Sequence, residues 1–220
     1  MTDAVRVKIC GLTRPHDVDA AARAGATYIG LNFFPLSPRA LTAQQARPVA
    51  LAASPGLARV ALFVDATDAE IEAVLEAVPI DLLQLHGREA PARVAEVRAR
   101  VGLPVIKAVG VASEADLPAV EEHGRAADML LVDAKPAPGA MLPGGNGLAF
   151  DWRLIAGRRW PVPWFLAGGL TPANVAEAIR LTGARQVDVS SGVESAPGVK
   201  EPDRVRAFVD AARSVSVPAG

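Results

Sequence analysis

The sequence predicts an α/β protein folded as a single (β/α)8 barrel over residues 1–220. Three observations carry this. Short β-branched apolar runs recur, with starts near Val5, Tyr28, Ala58, Leu82, Pro104, Asp128, Trp164 and Gln186. Each is followed by an Ala/Leu/Val stretch at helical spacing, the rhythm of parallel βα units. Successive starts lie 22 to 36 residues apart, and the shorter intervals are near the minimum for a strand and its crossover. Eight units use nearly the whole chain, as expected of a small TIM barrel. An open doubly wound sheet is the alternative; no Gly-x-Gly-x-x-Gly turn follows the first strand to favour its dinucleotide-binding form.

The elements follow in order. Val5, Val7 and Ile9 alternate with Arg6, Lys8 and Cys10, so the first strand packs one face on helices and turns the other inward. Thr13-Arg14-Pro15-His16-Asp17 opens the first helix, with Pro near the first helical position. Thr42 opens the second, and Thr67-Asp68-Ala69-Glu70 reads as a capping box for the third. In the fourth strand Leu83 and Leu85 alternate with Gln84 and His86. Pro104 suits a strand's first residue, where its missing N–H is tolerated. Thr171-Pro172 is expected to open the seventh helix and Glu201-Pro202-Asp203 the eighth. In the last strand Val187 and Val189 face out, while Gln186, Asp188 and Ser190 face in. Polar residues thus gather inside, toward the strands' C-terminal ends, where barrel active sites sit. The longest interval holds 134–149, rich in Pro and Gly; it is either a lid or a surface insertion.

Composition narrows the partners. With 23 basic and 24 acidic residues the net charge is -1, which argues against nucleic acid or an anionic membrane as partner. Hydrophobic residues make up 50% of the chain, yet no apolar run approaches the ~18 residues of a membrane span. A polar N-terminus and a solitary cysteine point to the cytoplasm. Lysines are few, four against 19 arginines, so each merits inspection. Three scattered histidines have no metal-ligand spacing, and no metal is expected.

Several residues could carry chemistry. Cys10 ends the first strand beside Gly11; it is either a small buried hydrophobe or a thiol whose ionised form Lys8 would favour. Asp133 ends the sixth strand and reads as a general acid or base, or as a partner of Lys135. Gly168-Gly169 closes the seventh strand and Ser190-Ser191-Gly192 the eighth. These are the two loops that form a phosphate cradle in many barrels, or else simple tight turns. Arg39 could pair with a carboxylate or be solvated. Asp188 could orient a hydroxyl or balance Lys8 or Arg6. Gln84 and His86 suit a core hydrogen bond or a ligand contact.

Six segments together are more specific. Lys8-Ile9-Cys10-Gly11-Leu12, Ile29-Gly30-Leu31-Asn32-Phe33-Phe34 with Ser37-Pro38-Arg39, Leu83-Gln84-Leu85-His86-Gly87, Phe150-Asp151-Trp152, Leu166-Ala167-Gly168-Gly169-Leu170 and Val187 to Glu194 resemble, in order, the phosphoribosylanthranilate isomerase family. The resemblance implies an Amadori rearrangement in tryptophan biosynthesis: an aminoaldose, phosphoribosylanthranilate, becomes an aminoketose with no cofactor. By motif position Cys10 resembles the family's general base, Asp133 its general acid and Arg39 its carboxylate anchor. Lys8, Gln84, His86, Gly168, Gly169, Asp188, Ser190, Ser191 and Gly192 complete the expected substrate-binding set. Where the family reads Gly-Gly-Thr-Gly, this chain has Gly144-Gly145-Asn146-Gly147, a departure expected to tune the loop. A monomer or homodimer fits equally. Three other readings remain: a Schiff-base aldolase using Lys107 or Lys135, a related phosphate-sugar barrel enzyme, and a non-catalytic phosphate-sugar binding protein.

Overall fold

The computed structural model describes residues 4–135, 144, 147 and 149–216. Eight parallel strands close into a barrel in chain order. They are β1 (Arg6–Cys10), β2 (Tyr28–Asn32), β3 (Ala58–Phe63), β4 (Leu82–Leu85), β5 (Val105–Val111), β6 (Met129–Ala134), β7 (Trp164–Leu166) and β8 (Gln186–Val189). Helices α1 (Pro15–Ala24), α2 (Ala43–Leu51), α3 (Asp68–Ala77), α4 (Pro91–Val101) and α5 (Leu117–Gly124) fill the first five crossovers. Helix α6 (Val175–Thr182) joins β7 to β8, and α7 (Pro202–Arg213) closes the ring against α1.

Local signals set the helix starts. Thr42 and Thr67 each accept the N–H three residues on, and Gln45 and Glu70 bond back to complete two capping boxes. Pro15, Pro91 and Pro202 occupy the first turns of α1, α4 and α7, where no N–H is needed. One expectation fails. The described part of the β6–β7 crossover has a 3-10 turn, Trp152–Ile155, in place of an α-helix. The seventh helix begins at Val175, and Thr171-Pro172 form the turn that leads into it: the Thr171 carbonyl accepts the Val175 N–H at 3.1 Å while Asn174 Oδ1 accepts the Thr171 N–H at 2.7 Å. Most of the expected lid lies outside the described residues.

Two apolar layers hold the barrel. Val5, Val7, Ile9, Leu83, Leu85, Val187 and Val189 pack outward against the helices. A separate inner cluster of Tyr28, Val60, Leu82, Ile106, Ala108, Leu131, Phe165 and Ala167 plugs the barrel. Tyr28 and Phe165 meet edge to face at 5.3 Å between centroids, a contact worth ~0.5–1.5 kcal/mol beyond its area. The Tyr28 hydroxyl donates to Gln186 Oε1 at 3.1 Å, so its polar end is satisfied inside the plug. Polar inward residues therefore sit above a packed floor, at the C-terminal mouth. None of the described helices is long and apolar enough to cross a membrane.

Candidate active site

The parallel register places Lys8 on β1 beside Asp188 on β8. Both side chains point inward, and Lys8 Nζ donates to Asp188 Oδ1 at 2.8 Å. Lys8 is fully buried, and burial works against its charge. Asp188, with Cys10 adding to it, outweighs this and holds the ammonium above its ordinary pKa. Removing either partner would strand a buried charge, at a cost of ~3–5 kcal/mol. Asp188 thus balances Lys8, one of the two roles open to it from the sequence.

Cys10 lies one inward position higher on β1 and is only 5% exposed. Burial pushes its thiol pKa up, Lys8 pulls it down, and Asp188 pushes it up again; the thiol ends above its ordinary value. The expectation that Lys8 makes this a low-pKa thiol is therefore corrected. Asp188 answers the lysine's charge, and burial does the rest.

Gly30 makes the room for this thiol. It pairs with Cys10 in register, and a Cβ there would stand 2.7 Å from Sγ and 3.2 Å from Lys8 Nζ. Gly30→Ala is expected to destabilise the fold by roughly 1–3 kcal/mol through overpacking. It should also displace the thiol. A melting curve and the rate of Cys10 alkylation measure both effects, and no change in either would show that the wall has slack.

Across the mouth, β6 ends in Asp133 and β4 leads into His86. Asp133 Oδ1 accepts from the Ala134 N–H at 2.8 Å, while Oδ2 lies 3.4 Å from His86 Nε2. His86 Nδ1 is 2.8 Å from the Gln84 amide nitrogen, and Gln84 Oε1 is buried with no hydrogen-bond partner among the described residues. Gln84, His86 and Asp133 thus form one line from the barrel floor to its mouth. Lys135 pairs with Asp116 instead of Asp133.

Arg39 is 6% exposed, so simple solvation does not describe it. Its Nε and Nη2 donate to the two carboxylate oxygens of Glu194 at 2.8 and 2.7 Å. Glu194 begins a two-stranded hairpin, β9 (Glu194–Ala196) and β10 (Val199–Lys200), inserted between β8 and α7. Nothing in the strand rhythm announces this hairpin. Pro197-Gly198 between two short runs is the turn signal that could have shown it, and Gly198 takes φ +80°.

Two adjoining pockets open at this mouth. One is walled by Gly168, Gly169, Ser190, Ser191 and Gly192, small residues that bring backbone close to any occupant. Asn174 Nδ2 holds this wall by donating to the Gly169 carbonyl at 3.0 Å. The other pocket is lined by Cys10, Arg39 and His86, with apolar Phe34, Leu62 and Val64. Asp133, Gly144, Asp188 and Ser190 line both. Most expected site residues therefore converge. Lys8 and Gln84 do not line either pocket; they sit beneath it as partners of Asp188 and His86. Neither do Lys107 and Lys135, the aldolase candidates. Lys107 is tied to Glu89 at 2.8 Å and to the Gly87 carbonyl at 2.8 Å. Phe34, Leu62 and Val64 were missed as pocket residues. Asn32 and Ser37, which also line it, were missed as well.

The mouth thus joins a pocket of backbone and hydroxyls to one with a thiol, a guanidinium and apolar walls. The family model described as N-(5'phosphoribosyl)anthranilate (PRA) isomerase matches residues 7–211. The chain belongs to the PRA isomerase family. The N-(5'-phosphoribosyl)anthranilate isomerase of Cereibacter sphaeroides is 68% identical, over 95% of this chain and 99% of its own. The solved phosphoribosyl anthranilate isomerase of Thermotoga maritima is 35% identical, with a TM-score of 0.86 over 96% of this chain and 100% of that one. A further PRA isomerase structure, 33% identical with a TM-score of 0.82, covers 96% of this chain and 100% of its own. It is a complex with reduced 1-(o-carboxyphenylamino)-1-deoxyribulose 5-phosphate.

Proposed function

We propose that this chain is the PRA isomerase of tryptophan biosynthesis and that Cys10 and Asp133 are its base and acid. The observation that carries the reading is the shared wall of the two pockets. An elongated substrate with phosphate at one end and a benzoate at the other would fill both and lay its sugar between them, beside Asp133 and Asp188. Gly168, Gly169, Ser190, Ser191 and Gly192 would hold the phosphate through backbone N–H groups and hydroxyls. Phe34, Leu62 and Val64 would pack the aromatic ring, and Arg39 would meet its carboxylate through the guanidinium nitrogen that Glu194 leaves free.

The chemistry assigns the rest. Asp133 protonates the ring oxygen, the furanose opens, and a Schiff base forms. Its cationic nitrogen acidifies the hydrogen on the neighbouring carbon. Cys10 removes that proton as thiolate, and the enolamine tautomerises to the ketone. The Schiff-base cation also favours the thiolate when it is needed, so a thiol pushed up in the empty site ionises more readily in the loaded one. The Gln84 amide suits both states of Asp133. With its nitrogen toward Nδ1, His86 offers Nε2–H to a carboxylate; turned over, it leaves Nε2 to accept from a carboxylic acid.

Loss of fluorescence after adding freshly made phosphoribosylanthranilate tests the reading directly. Binding of the reduced product analogue without any such loss would favour a non-catalytic binding protein. Arg39→Ala is expected to raise KM by roughly tenfold or more, the equivalent of one charge-assisted hydrogen bond, with a smaller change in kcat. An unchanged KM would remove the carboxylate contact from the scheme.

A further inference from the structure

The fourth lysine has no part in the scheme above, yet it is buried at the site's edge. Lys8 pairs with Asp188, Lys107 with Glu89 and Lys135 with Asp116. Lys200, on β10, is 3% exposed. Its ammonium donates to Glu194 Oε1 at 2.7 Å, to the Ser190 carbonyl at 3.0 Å and to Ser190 Oγ at 3.3 Å. Glu194 in turn grips the Arg39 fork, and Ser190 Oγ donates to the Cys10 carbonyl at 3.0 Å. One line of contacts therefore runs from the guanidinium to the strand end that bears the thiol.

Its geometry does two things. A carboxylate that takes Nε and Nη2 together fixes the plane of the guanidinium, because the fork is rigid. Arg39 is then presented to the pocket in one orientation, with Nη1 outside the Glu194 fork. Two cations around one carboxylate also leave a net positive charge on this wall. Burial alone would raise the Glu194 carboxyl, but Arg39 and Lys200 together hold it below its ordinary range, so it stays ionised.

We propose that Glu194 and Lys200 are a positioning pair: Glu194 sets the plane of Arg39, and Lys200 locks Glu194 to Ser190 and so to the Cys10 strand end. The pair deepens the reading of Arg39 as carboxylate anchor and Cys10 as base, and rests on it. It also bears on the thiol's ionisation. The charged groups around Cys10 are Lys8 on its own strand, Asp188 on β8, Arg39 in the β2–α2 loop and Lys200 on β10. Asp188 answers Lys8, and Glu194 answers one of the other two cations. Lys200 is thus part of the positive excess that a thiolate would meet.

The test uses the full chain with Glu194→Gln, Glu194→Asp, Lys200→Met and Lys200→Arg. Glu194→Gln is expected to raise KM for phosphoribosylanthranilate by roughly tenfold, with a smaller effect on kcat. Glu194→Asp keeps the charge but retracts the carboxylate, so KM rises there too; it serves if the glutamine variant does not fold. Lys200→Met should move the pH midpoint of Cys10 alkylation upward by roughly one unit, and Lys200→Arg should restore it. Cys10 is the only cysteine, so the adduct reports one site. Folded Glu194 variants with unchanged KM, or an alkylation midpoint indifferent to residue 200, would overturn the pair. If the wild-type chain shows no turnover, the proposed function fails separately. The alkylation arm still decides on Lys200, and the Kd of the reduced product analogue replaces KM for Glu194.

Discussion

Cys10→Ala is expected to lower turnover of phosphoribosylanthranilate by roughly 10²- to 10⁴-fold while the barrel still folds. That loss corresponds to about 3–5 kcal/mol of transition-state stabilisation. The side chain lost is small and lies at the pocket wall, so the fold has little to lose with it. The charged groups nearest the thiol are already engaged. Asp188 is held by Lys8, and Arg39 by Glu194. The wild-type rate carries a second signature. Burial and Asp188 raise the thiol's pKa against the pull of Lys8. The thiolate fraction grows with pH, so a raised pKa moves the rising limb of the free enzyme's kcat/KM toward alkaline pH. Stopped assays across neutral and alkaline pH, with and without Cys10, check both points. A variant with full activity, or a wild-type profile flat on the alkaline side, would take the base away from Cys10.

Asp133→Asn is expected to cost a comparable factor, roughly 10² or more, for a different reason. The amide has the size of the carboxyl and can still accept from the Ala134 N–H, so the geometry of β6 survives. It cannot deliver a proton to the ring oxygen. His86 stands beside it, its Nε2 3.4 Å from Asp133 Oδ2 and its Nδ1 in contact with Gln84, so the variant keeps the histidine but loses the carboxylic acid. The two variants can be told apart by setting hydrogen exchange from solvent into the carbon next to the Schiff base beside turnover of an open-chain analogue. Each is expected to lose the exchange, but with a substrate analogue that cannot close its ring only Asp133→Asn should regain turnover. No recovery there would place Asp133 at a step other than ring opening.

The strands were legible because period-two alternation is local. Tyr28, Ala58, Leu82, Trp164 and Gln186 begin strands as the sequence predicts, and β1, β5 and β6 start one residue late. The inward set Lys8, Cys10, Gln84, His86, Asp133 and Asp188 follows from the same alternation once the barrel is closed. What escaped depends on neighbours remote in sequence. Gly30 looks like any strand glycine until Cys10 Sγ is seen beside it. Glu194 and Lys200 are ordinary charges until the hairpin turns them inward onto Arg39 and Ser190. The direction of the Cys10 shift is not legible because its largest cause, burial, appears only in the fold, and because only there does Asp188, 180 positions from Lys8, meet that lysine.

That separation has a consequence for how the protein comes into being. The ties that build the mouth join chain ends: Lys8 to Asp188 and Cys10 to Ser190 span 180 positions, and Arg39 to Glu194 spans 155. A nascent chain halted before β8 would carry its thiol and its arginine but neither Asp188 nor Glu194 to hold them. The mouth is therefore completed last, with the closing seam, after nearly the whole chain has been made.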